Sequence, residues 1–279
     1  MKAYAFSLFL ILVPAIVSAQ PAPLHVVKTV VLDPGHGGGN EGAMGASGSQ
    51  EKDHTLAVAY AIRDRLLQDY PDLRVVVTRN LDIDLTLSER MHLAHNQGAD
   101  LFLSLHMNSA RNKEAHGFEV FYLRADKSMP LVTDGEGSWG QDFEAPADPR
   151  ENVPTAAPEG LPTLLADLEL GRAHRDSATL AEFTLAELKR ACPGRASRGV
   201  RQANFGVLRG ARVPAVVVEF GFLSNKREER WLTSPEARES FALATSRTVA
   251  RMDQFLYRRD VLASPSPESS GAGSWANNR

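Results

Sequence analysis

The feature that most constrains the fold is an alternation of short apolar runs with segments of helical periodicity. In the first helical segment, for example, apolar residues recur at Leu56, Ala59, Ile62 and Leu66, the spacing of one helix face. Strands that alternate with helices predict an α/β fold with a largely parallel sheet. Strands are predicted at residues 26–32, 73–78, 100–105, 117–123, 205–208 and 215–218, and helices at 55–70, 87–96, 177–191 and within 235–257.

The N-terminus has the pattern of a secretory signal peptide. Lys2 precedes an apolar run over residues 3–17, which ends in Val17-Ser18-Ala19 with small residues at the cleavage positions. The alternative is an uncleaved membrane anchor, but the run is short of the roughly 20 apolar residues that a spanning helix needs. We therefore expect residues 1–19 to be removed, and the mature chain to be exported without an integral membrane segment.

Composition excludes some classes of protein. The formal net charge is −3 and no basic stripe is visible, which argues against a nucleic-acid binder. Cys192 is the single cysteine, so an exported chain of this kind has no internal disulfide. Residues 263–279 are mostly Ser, Pro, Gly, Ala and Asn, which predicts a disordered tail.

One long stretch interrupts the alternation. Residues 124–162 are rich in Pro, Gly, Asp and Glu and show no periodicity, as in functional loops or disordered segments. Leu164, Leu165, Leu168 and Leu170 follow and favour a short amphipathic helix. We treat residues 124–170 as one insertion in an otherwise regular domain.

Four side chains with catalytic potential lie near predicted strand ends or helix starts. His36 is in the Gly-rich loop after the first strand. His106 directly follows the strand at 100–105, and Glu219 directly follows the strand at 215–218. The carboxyl ends of strands in open α/β sheets are where ligands bind. Glu51 precedes the helix at 55–70. The Gly-rich loop does not have the spacing of a nucleotide-binding loop.

Each candidate also has a purely structural interpretation. A single histidine after a strand is more often a turn or core residue, and a glutamate before a helix often complements the helix dipole from the surface. Glu219 lies between an apolar strand and Phe220-Gly221-Phe222, so it is expected to be partly buried and to need a partner. Two histidines and one glutamate are a known set of catalytic zinc ligands, beside which a second glutamate can act as base.

Motifs along the chain resemble those of the zinc-dependent N-acetylmuramoyl-L-alanine amidases of the amidase type 3 family. The resemblance covers residues 26 to about 257, in family order. Its most specific pieces surround His106 and Glu219. The matching pieces are Leu32-Asp33-Pro34-Gly35-His36-Gly37-Gly38, Glu51-Lys52, Val77-Thr78-Arg79, residues 85–90, residues 99–109, Gly117-Phe118-Glu119-Val120 and residues 214–225.

The resemblance implies an α/β fold with a mixed, mainly parallel β-sheet flanked by α-helices, as a single catalytic domain over residues 26–258. It implies that His36, Glu51 and His106 are zinc ligands and that Glu219 is the catalytic base. Asn40 departs from the family, in which Asp is common at this position of the Gly-rich loop. Because Asn40 is not one of the implied ligands, the departure affects only the expected contacts within the loop. Asn108 is interpreted either as a substrate-placing group or as part of a loop hydrogen bond. Arg79 is interpreted either as a substrate-placing group or as a surface cation.

The implied reaction is hydrolysis of the amide bond between N-acetylmuramic acid and L-alanine in peptidoglycan, by zinc-activated water, for cell-wall remodelling or daughter-cell separation. A peptidase that cuts within the stem peptide and an inactive wall-binding domain are the alternatives. We expect a periplasmic location, with the cell surface or the medium as alternatives.

Some members of the family carry an insertion that covers the zinc site until an activator protein binds. In this chain Asp167-Leu168-Glu169-Leu170 is the predicted occluding segment, whose carboxylates could approach the metal, and a solvated surface loop is the alternative.

Overall fold

The computed structural model describes residues 21–124 and 161–260, with side chains described from residue 168 in the second range. Within these ranges there are six strands, five α-helices and one 3₁₀ turn at Gly206–Leu208. The strands are β1 (Thr29–Pro34), β2 (Arg74–Val77), β3 (Leu101–Asn108), β4 (Phe118–Leu123), β5 (Ser197–Ala203) and β6 (Ala215–Phe222). The helices are α1 (Glu51–Asp69), α2 (Leu87–Asn96), α3 (Leu161–Ala191), α4 (Lys226–Leu232) and α5 (Pro235–Asp260).

The six strands form one mixed sheet in the order β2-β1-β3-β6-β4-β5. Strands β2, β1, β3 and β6 are parallel to one another. Strand β4 runs antiparallel to β6, and β5 runs parallel to β4. The carboxyl ends of β1, β3 and β6 therefore lie at one edge of the sheet, where β4 and β5 begin. This arrangement confirms the predicted mixed, mainly parallel sheet.

Both faces of the sheet are covered. Alternate residues of β1, β3 and β6 pack with α1, α3 and α5 in a large apolar core. The remaining alternate residues, such as Val31, Phe102 and Val217, pack with α2 and the 3₁₀ turn in a smaller core. Strands buried on both faces read as continuous apolar runs, which is why β1, β3 and β6 were visible in the sequence.

Most predicted elements are confirmed, with shifted ends. The first strand begins at Thr29 and not at Val26, because the backbone N–H groups of residues 25–27 donate to the Asp253 carboxylate of α5 and not to a neighbouring strand. Helix α1 begins four residues before the predicted start, at Glu51. Its first turn is polar and carries no apolar periodicity.

Four features differ from the sequence-based predictions. The segment 205–208 is a 3₁₀ turn and not a strand. Helix α3 begins at Leu161 and runs unbroken to Ala191, so the separate short helix at 164–170 and the helix start at 177 are wrong. Strand β5 and helix α4 were missed, because Ser-Arg-Gly-Val-Arg-Gln-Ala and Lys-Arg-Glu-Glu-Arg-Trp-Leu are short and largely polar.

Three further sequence-based predictions concern membrane spans, the single cysteine and the segments at the two ends of the chain. No helix within residues 21–124 or 161–260 combines the length and apolarity needed to cross a bilayer. The Cys192 thiol is buried and free, and burial raises its pKa to about 11, so it is not an activated nucleophile. The predicted signal peptide at 1–19, the tail at 263–279 and most of the insertion lie outside the described residues.

Candidate metal centre and active site

The predicted site residues come together at the edge of the sheet where β1, β3 and β6 end. His36 lies two residues beyond β1, His106 is in β3, and Glu219 is in β6. His106 and Glu219 are register partners on neighbouring parallel strands, so their side chains lie on the same face of the sheet. Glu51 reaches this edge from the first turn of α1.

His36, Glu51 and His106 form a buried cluster whose ligand atoms all lie within 4.8 Å of one another. The two carboxylate oxygens of Glu51 each face one imidazole. Oε2 is 3.1 Å from His36 Nε2, and Oε1 is 3.0 Å from His106 Nδ1. Glu51 is also held by the backbone N–H groups of Ala43 and Met107, at 2.7 and 2.9 Å.

A chain of polar groups orients His106. The ring atom Nε2 lies 3.2 Å from Ser104 Oγ, and that hydroxyl donates to Asp33 Oδ2 at 2.8 Å. Asp33 is in turn held by Arg90 of α2 and by Thr78. Because Ser104 Oγ gives its proton to Asp33, it accepts from Nε2–H, which leaves Nδ1, the ring atom that faces Glu51, available to a metal.

His36 is oriented by its backbone and by Asn40. Its φ is +60°, and it is the one non-glycine residue with positive φ among the described residues, a conformation that persists when its surroundings hold it. Arg90 Nη2 donates to the His36 carbonyl at 2.9 Å. The ring atom Nδ1 lies 2.9 Å from Asn40 Oδ1, so Nδ1 carries the proton and Nε2 faces Glu51. Asn40 therefore orients His36, a contact that sequence analysis missed.

Two glycines allow the three side chains to approach closely. A Cβ at Gly35 would lie 2.2 Å from Cε1 of His106. A Cβ at Gly42, where φ is +69°, would lie 2.6 Å from the His36 ring and 2.7 Å from Glu51 Oε2. Any side chain at either position would displace the cluster, so packing against the site requires both glycines, and the positive φ of Gly42 requires glycine there a second time.

The charge state of the cluster suits a cation. Burial raises the pKa of Glu51, but the adjacent His36 and the hydrogen bonds from both imidazoles hold that pKa well below its usual range. An ionised carboxylate thus accepts hydrogen bonds from two imidazoles, and a bound cation would replace those protons and take the lone pairs of the same two ring nitrogens. Two nitrogens and one carboxylate are a donor set for a divalent transition metal, with open positions left for water and substrate. The three residues fit such a metal.

Glu219 is buried beside this cluster, with 1% of its surface exposed. It lies between His106 of β3 and Glu119 of β4, its register partners on either side. Glu119 is also buried, and it accepts from Asn108 Nδ2 at 2.8 Å and pairs with Arg198 and Arg201 of β5 at 3.3 Å. Glu119 has no role among the sequence-based predictions, although the alternation in β4 places it on the face of Glu219.

Arg79 and Asn108 both have hydrogen-bond partners within the protein. Arg79 is buried, and its guanidinium donates to the carbonyls of Pro34, Gly35 and Lys52. It is therefore neither a surface cation nor a substrate group, and it supports the loop that carries His36. The amide of Asn108 is used by Glu119 and by the backbone N–H of Ser109.

The predicted occluding segment is not at the metal cluster. Glu169 lines a surface depression with Val26, Asp100 and Pro214, which precede β1, β3 and β6. This depression is at the edge of the sheet opposite to the cluster. The prediction that the carboxylate of Glu169 approaches the metal is wrong, because residues 161–170 belong to the start of the long helix α3.

Comparisons with known proteins agree with this geometry. A family profile described as N-acetylmuramoyl-L-alanine amidase matches residues 30–251. The amidase AmiA of Escherichia coli strain K12 is 34% identical over 226 residues, which cover 80% of this chain and 75% of AmiA. The amidase AmiC of Neisseria meningitidis serogroup B is 32% identical over 222 residues, which cover 80% of this chain and 52% of AmiC.

A solved structure shows the same fold. The catalytic domain of CwlV, an N-acetylmuramoyl-L-alanine amidase from Bacillus (Paenibacillus) polymyxa var. colistinus, matches with a TM-score of 0.59 and 28% identity. The match covers 80% of this chain and 97% of that domain.

Proposed function

The chain belongs to the N-acetylmuramoyl-L-alanine amidase family, and from this premise we propose that zinc is its metal and that Glu219 is its catalytic base. The family reaction is hydrolysis of the amide bond between N-acetylmuramic acid and L-alanine in peptidoglycan. The observation that carries the proposal is the convergence of buried His36, Glu51 and His106 beside buried Glu219.

His36 Nε2, His106 Nδ1 and the Glu51 carboxylate would hold the zinc. When bound, zinc supplies a Lewis acid that polarises the amide carbonyl and lowers the pKa of water to about 7. The contacts of Asn40 and Ser104 hold both rings with one nitrogen towards Glu51, so little movement of the rings is needed on binding. Such outer contacts raise the basicity of histidine ligands.

Glu219 would move the proton. Its carboxylate accepts a proton from the water that attacks the lactyl carbonyl, and then donates that proton to the leaving nitrogen of L-alanine. One group can serve as base and then as acid because both atoms come within hydrogen-bond reach of the same carboxylate. Burial at the sheet edge keeps bulk water away, which strengthens charge interactions in the site.

The test is mass spectrometry of peptidoglycan digested by the purified protein and by Glu219→Gln. We expect the wild type to release intact stem peptides with a free L-alanine amine, and Glu219→Gln to lose at least about a hundredfold in rate, as expected for loss of a general base. Exposed Glu182 provides the matched control, Glu182→Gln, which should be fully active.

Metal analysis separates the two assigned roles. We expect Glu219→Gln to retain one equivalent of zinc and His106→Ala to lose it. Activity retained in zinc-loaded Glu219→Gln would contradict the role of Glu219. Shortened stem peptides in the digest would mean that the enzyme cuts within the stem.

Export is the second part of the proposal. Peptidoglycan lies outside the cytoplasmic membrane, and residues 1–19 have the pattern of a cleavable signal peptide. We propose a periplasmic enzyme that begins at Gln20 after processing. N-terminal sequencing of the protein recovered from the cell envelope would contradict this if the chain still began at Met1.

Regulation is the third part. We propose that residues 125–160, within the predicted insertion at 124–170, restrict access to the site until an activator protein binds. The segment has eight carboxylates against two basic residues, so several of its residues are of a type that can approach a metal or compete with an acidic substrate. The support for this proposal is the family resemblance and the length of the segment.

A further inference from the structure

A wide cleft of about 1030 Å³ opens next to the metal cluster, at the same edge of the sheet. Its walls are the loop at residues 44–46, the loop at residues 113–116 and the start of α4. The volume is at the upper end of the range for ligand sites, roughly 300–1,000 Å³. None of the four proposed catalytic and metal-binding residues lines it, so the cleft is a separate feature.

The cleft is strongly basic although the whole chain has a net charge of −3. Five cationic side chains line it: Lys113, Arg195, Lys226, Arg227 and Arg230. Across residues 21–124 and 161–260, no carboxylate forms an ion pair with any of the five. Arg195 instead lies over the ring of Trp231 at 4.0 Å.

The two acidic residues of the cleft do little to offset this charge. Glu228 is buried, and its carboxylate oxygens accept from the backbone N–H groups of Gly117 and Phe222 at 2.9 and 2.8 Å. Glu114 is exposed at the rim. The cations Lys113, Lys226, Arg227 and Arg230 are exposed to solvent, so they are free to meet an anion that enters the cleft.

Backbone contacts connect the walls of the cleft to the elements that hold the metal cluster. Met44 of its wall directly follows Ala43, whose N–H donates to Glu51. Ser224 of its floor accepts from the N–H of Ala110, two residues beyond the end of β3. The cleft and the metal cluster are thus formed by neighbouring residues at the same edge of the sheet.

We propose that this cleft binds the carboxylates of a peptidoglycan stem peptide; this inference rests on the proposed function. Stem peptides carry free carboxylates, and Lys and Arg bind carboxylates by charge-assisted hydrogen bonds. A small group of cations within a concave site suits a short acidic peptide, whereas nucleic acid requires a longer basic track.

The test is binding of the purified protein to insoluble peptidoglycan, measured by sedimentation. All proteins carry Glu219→Gln, so that hydrolysis does not release them from the wall. The test variant is Lys226→Glu with Arg227→Glu. Both positions are exposed in the first turn of α4, where carboxylates are favourable to a helix, so folding should be preserved.

The matched control is Arg175→Glu with Arg247→Glu. These residues are exposed on α3 and α5, outside the cleft, and the change in net charge is the same. Each protein is tested on native peptidoglycan and on peptidoglycan whose carboxylates have been converted to amides with carbodiimide and ammonia.

We expect the test variant to bind native peptidoglycan about tenfold more weakly than the control, since each exposed ion pair contributes only modestly. On amidated peptidoglycan the test and control variants should bind equally. Equal binding of both variants to native peptidoglycan would overturn the inference. An undiminished difference on amidated peptidoglycan would also overturn it, because the ligand would then be another anion. Release of L-alanine-terminated stems by the protein with Glu219 present, measured in parallel, reports separately on the proposed function.

Discussion

At the residue scale, the two histidines of the cluster reach the same arrangement by different means. His106 is part of a strand and is oriented by a polar chain through Ser104 and Asp33. His36 is in a loop, takes a strained φ of +60° and is oriented by Asn40. The loop histidine has fewer restraints, so its side-chain partner should matter more.

Asn40 is the first residue to test in this way. We expect Asn40→Ala to weaken zinc binding by about 10–100-fold, the usual effect of removing an outer partner of a histidine ligand. Asn40→Asp retains an acceptor oxygen and should bind zinc at least as tightly as the wild type. Competition with a chromogenic chelator measures both. Unchanged affinity in Asn40→Ala would show that the backbone alone orients His36.

Asp33 makes stability depend on pH. Burial raises its pKa, but Arg90 and the hydrogen bonds from Thr78, Arg90 and Ser104 outweigh burial and hold the pKa below its usual 3.8. A carboxyl whose pKa is lowered by folding stabilises the protein fully above about pH 4 and loses that effect as the pH falls through the folded pKa.

Replacing Asp33 tests this. Asp33→Asn leaves the buried Arg90 guanidinium without its carboxylate. We therefore expect the free energy of unfolding at pH 7 to be about 3–5 kcal/mol lower than that of the wild type. The difference from wild type should narrow at pH 3, because this pH is below the pKa of Asp33 in the unfolded chain, which then binds a proton that the folded protein binds only at lower pH. Urea unfolding at the two pH values measures it. A difference that stays constant with pH would contradict the ionic interpretation.

At the element scale, the ends of helices and strands are decided by polar contacts between elements. Helix α1 begins at Glu51 and Lys52, which are buried because Glu51 faces the histidines and Lys52 Nζ donates to Gly38 and Asp82. The lead into β1 stays out of the sheet because Asp253 of α5 accepts its backbone N–H groups. Neither contact has a periodic signature in sequence.

Asp253 should therefore anchor the N-terminal segment to α5. We expect Asp253→Ala to lower the free energy of unfolding by about 3 kcal/mol, because it leaves the buried N–H of Val27 and its neighbours without their charged acceptor. Asp253→Asn keeps one acceptor oxygen and should lose less. Urea denaturation compares the two. Equal midpoints for wild type and Asp253→Ala would mean that water replaces the contact at no cost.

At the scale of the whole molecule, the direction of β4 determines the edge of the sheet from which the insertion starts. Because β4 runs antiparallel to β6, it starts at the edge of the site and ends at Leu123, at the opposite edge. Helix α3 begins near the same opposite edge and ends at Ala191, before β5. Both ends of residues 125–160 therefore leave from the edge away from the metal cluster.

The length of this segment is sufficient to reach the site and return. An extended chain spans about 3.3 Å per residue, so residues 125–160 could extend over roughly 120 Å. The eight-residue strand β3 is only about 26 Å long. The geometry thus excludes residues 168–170 as an occluding element at the metal, and leaves residues 125–160 as the segment to test.

Deletion of residues 125–160 tests the proposed regulation. Replacing them with a flexible linker of about ten residues leaves α3 intact. We expect the basal rate of peptidoglycan hydrolysis to rise several-fold with unchanged zinc content, since an obstacle to the substrate is removed. The same deletion with Glu219→Gln is the control and should be inactive. A folded, zinc-loaded deletion protein with the wild-type basal rate would contradict restriction by this segment.

Much of the fold and three of the four candidate residues were predictable from local sequence. The buried strands β1, β3 and β6 are continuous apolar runs, and His36, His106 and Glu219 were placed at their carboxyl ends. In a parallel sheet such ends meet at one edge, so local burial patterns together with one rule of topology brought these three residues together. The role of Glu51 came from the family resemblance, because its spacing alone is that of an ordinary helix start.

Other features were decided only by the tertiary structure, because they depend on contacts between residues far apart in the chain. The reversal of β4, the burial of Arg79 under the His36 loop and the contact of Asn40 with His36 are of this kind. The basic cleft is another, since Lys113, Arg195 and Arg227 come from three separate segments. Hydrophobic periodicity reports which side of an element is buried, and it carries no information about which distant polar groups will meet there.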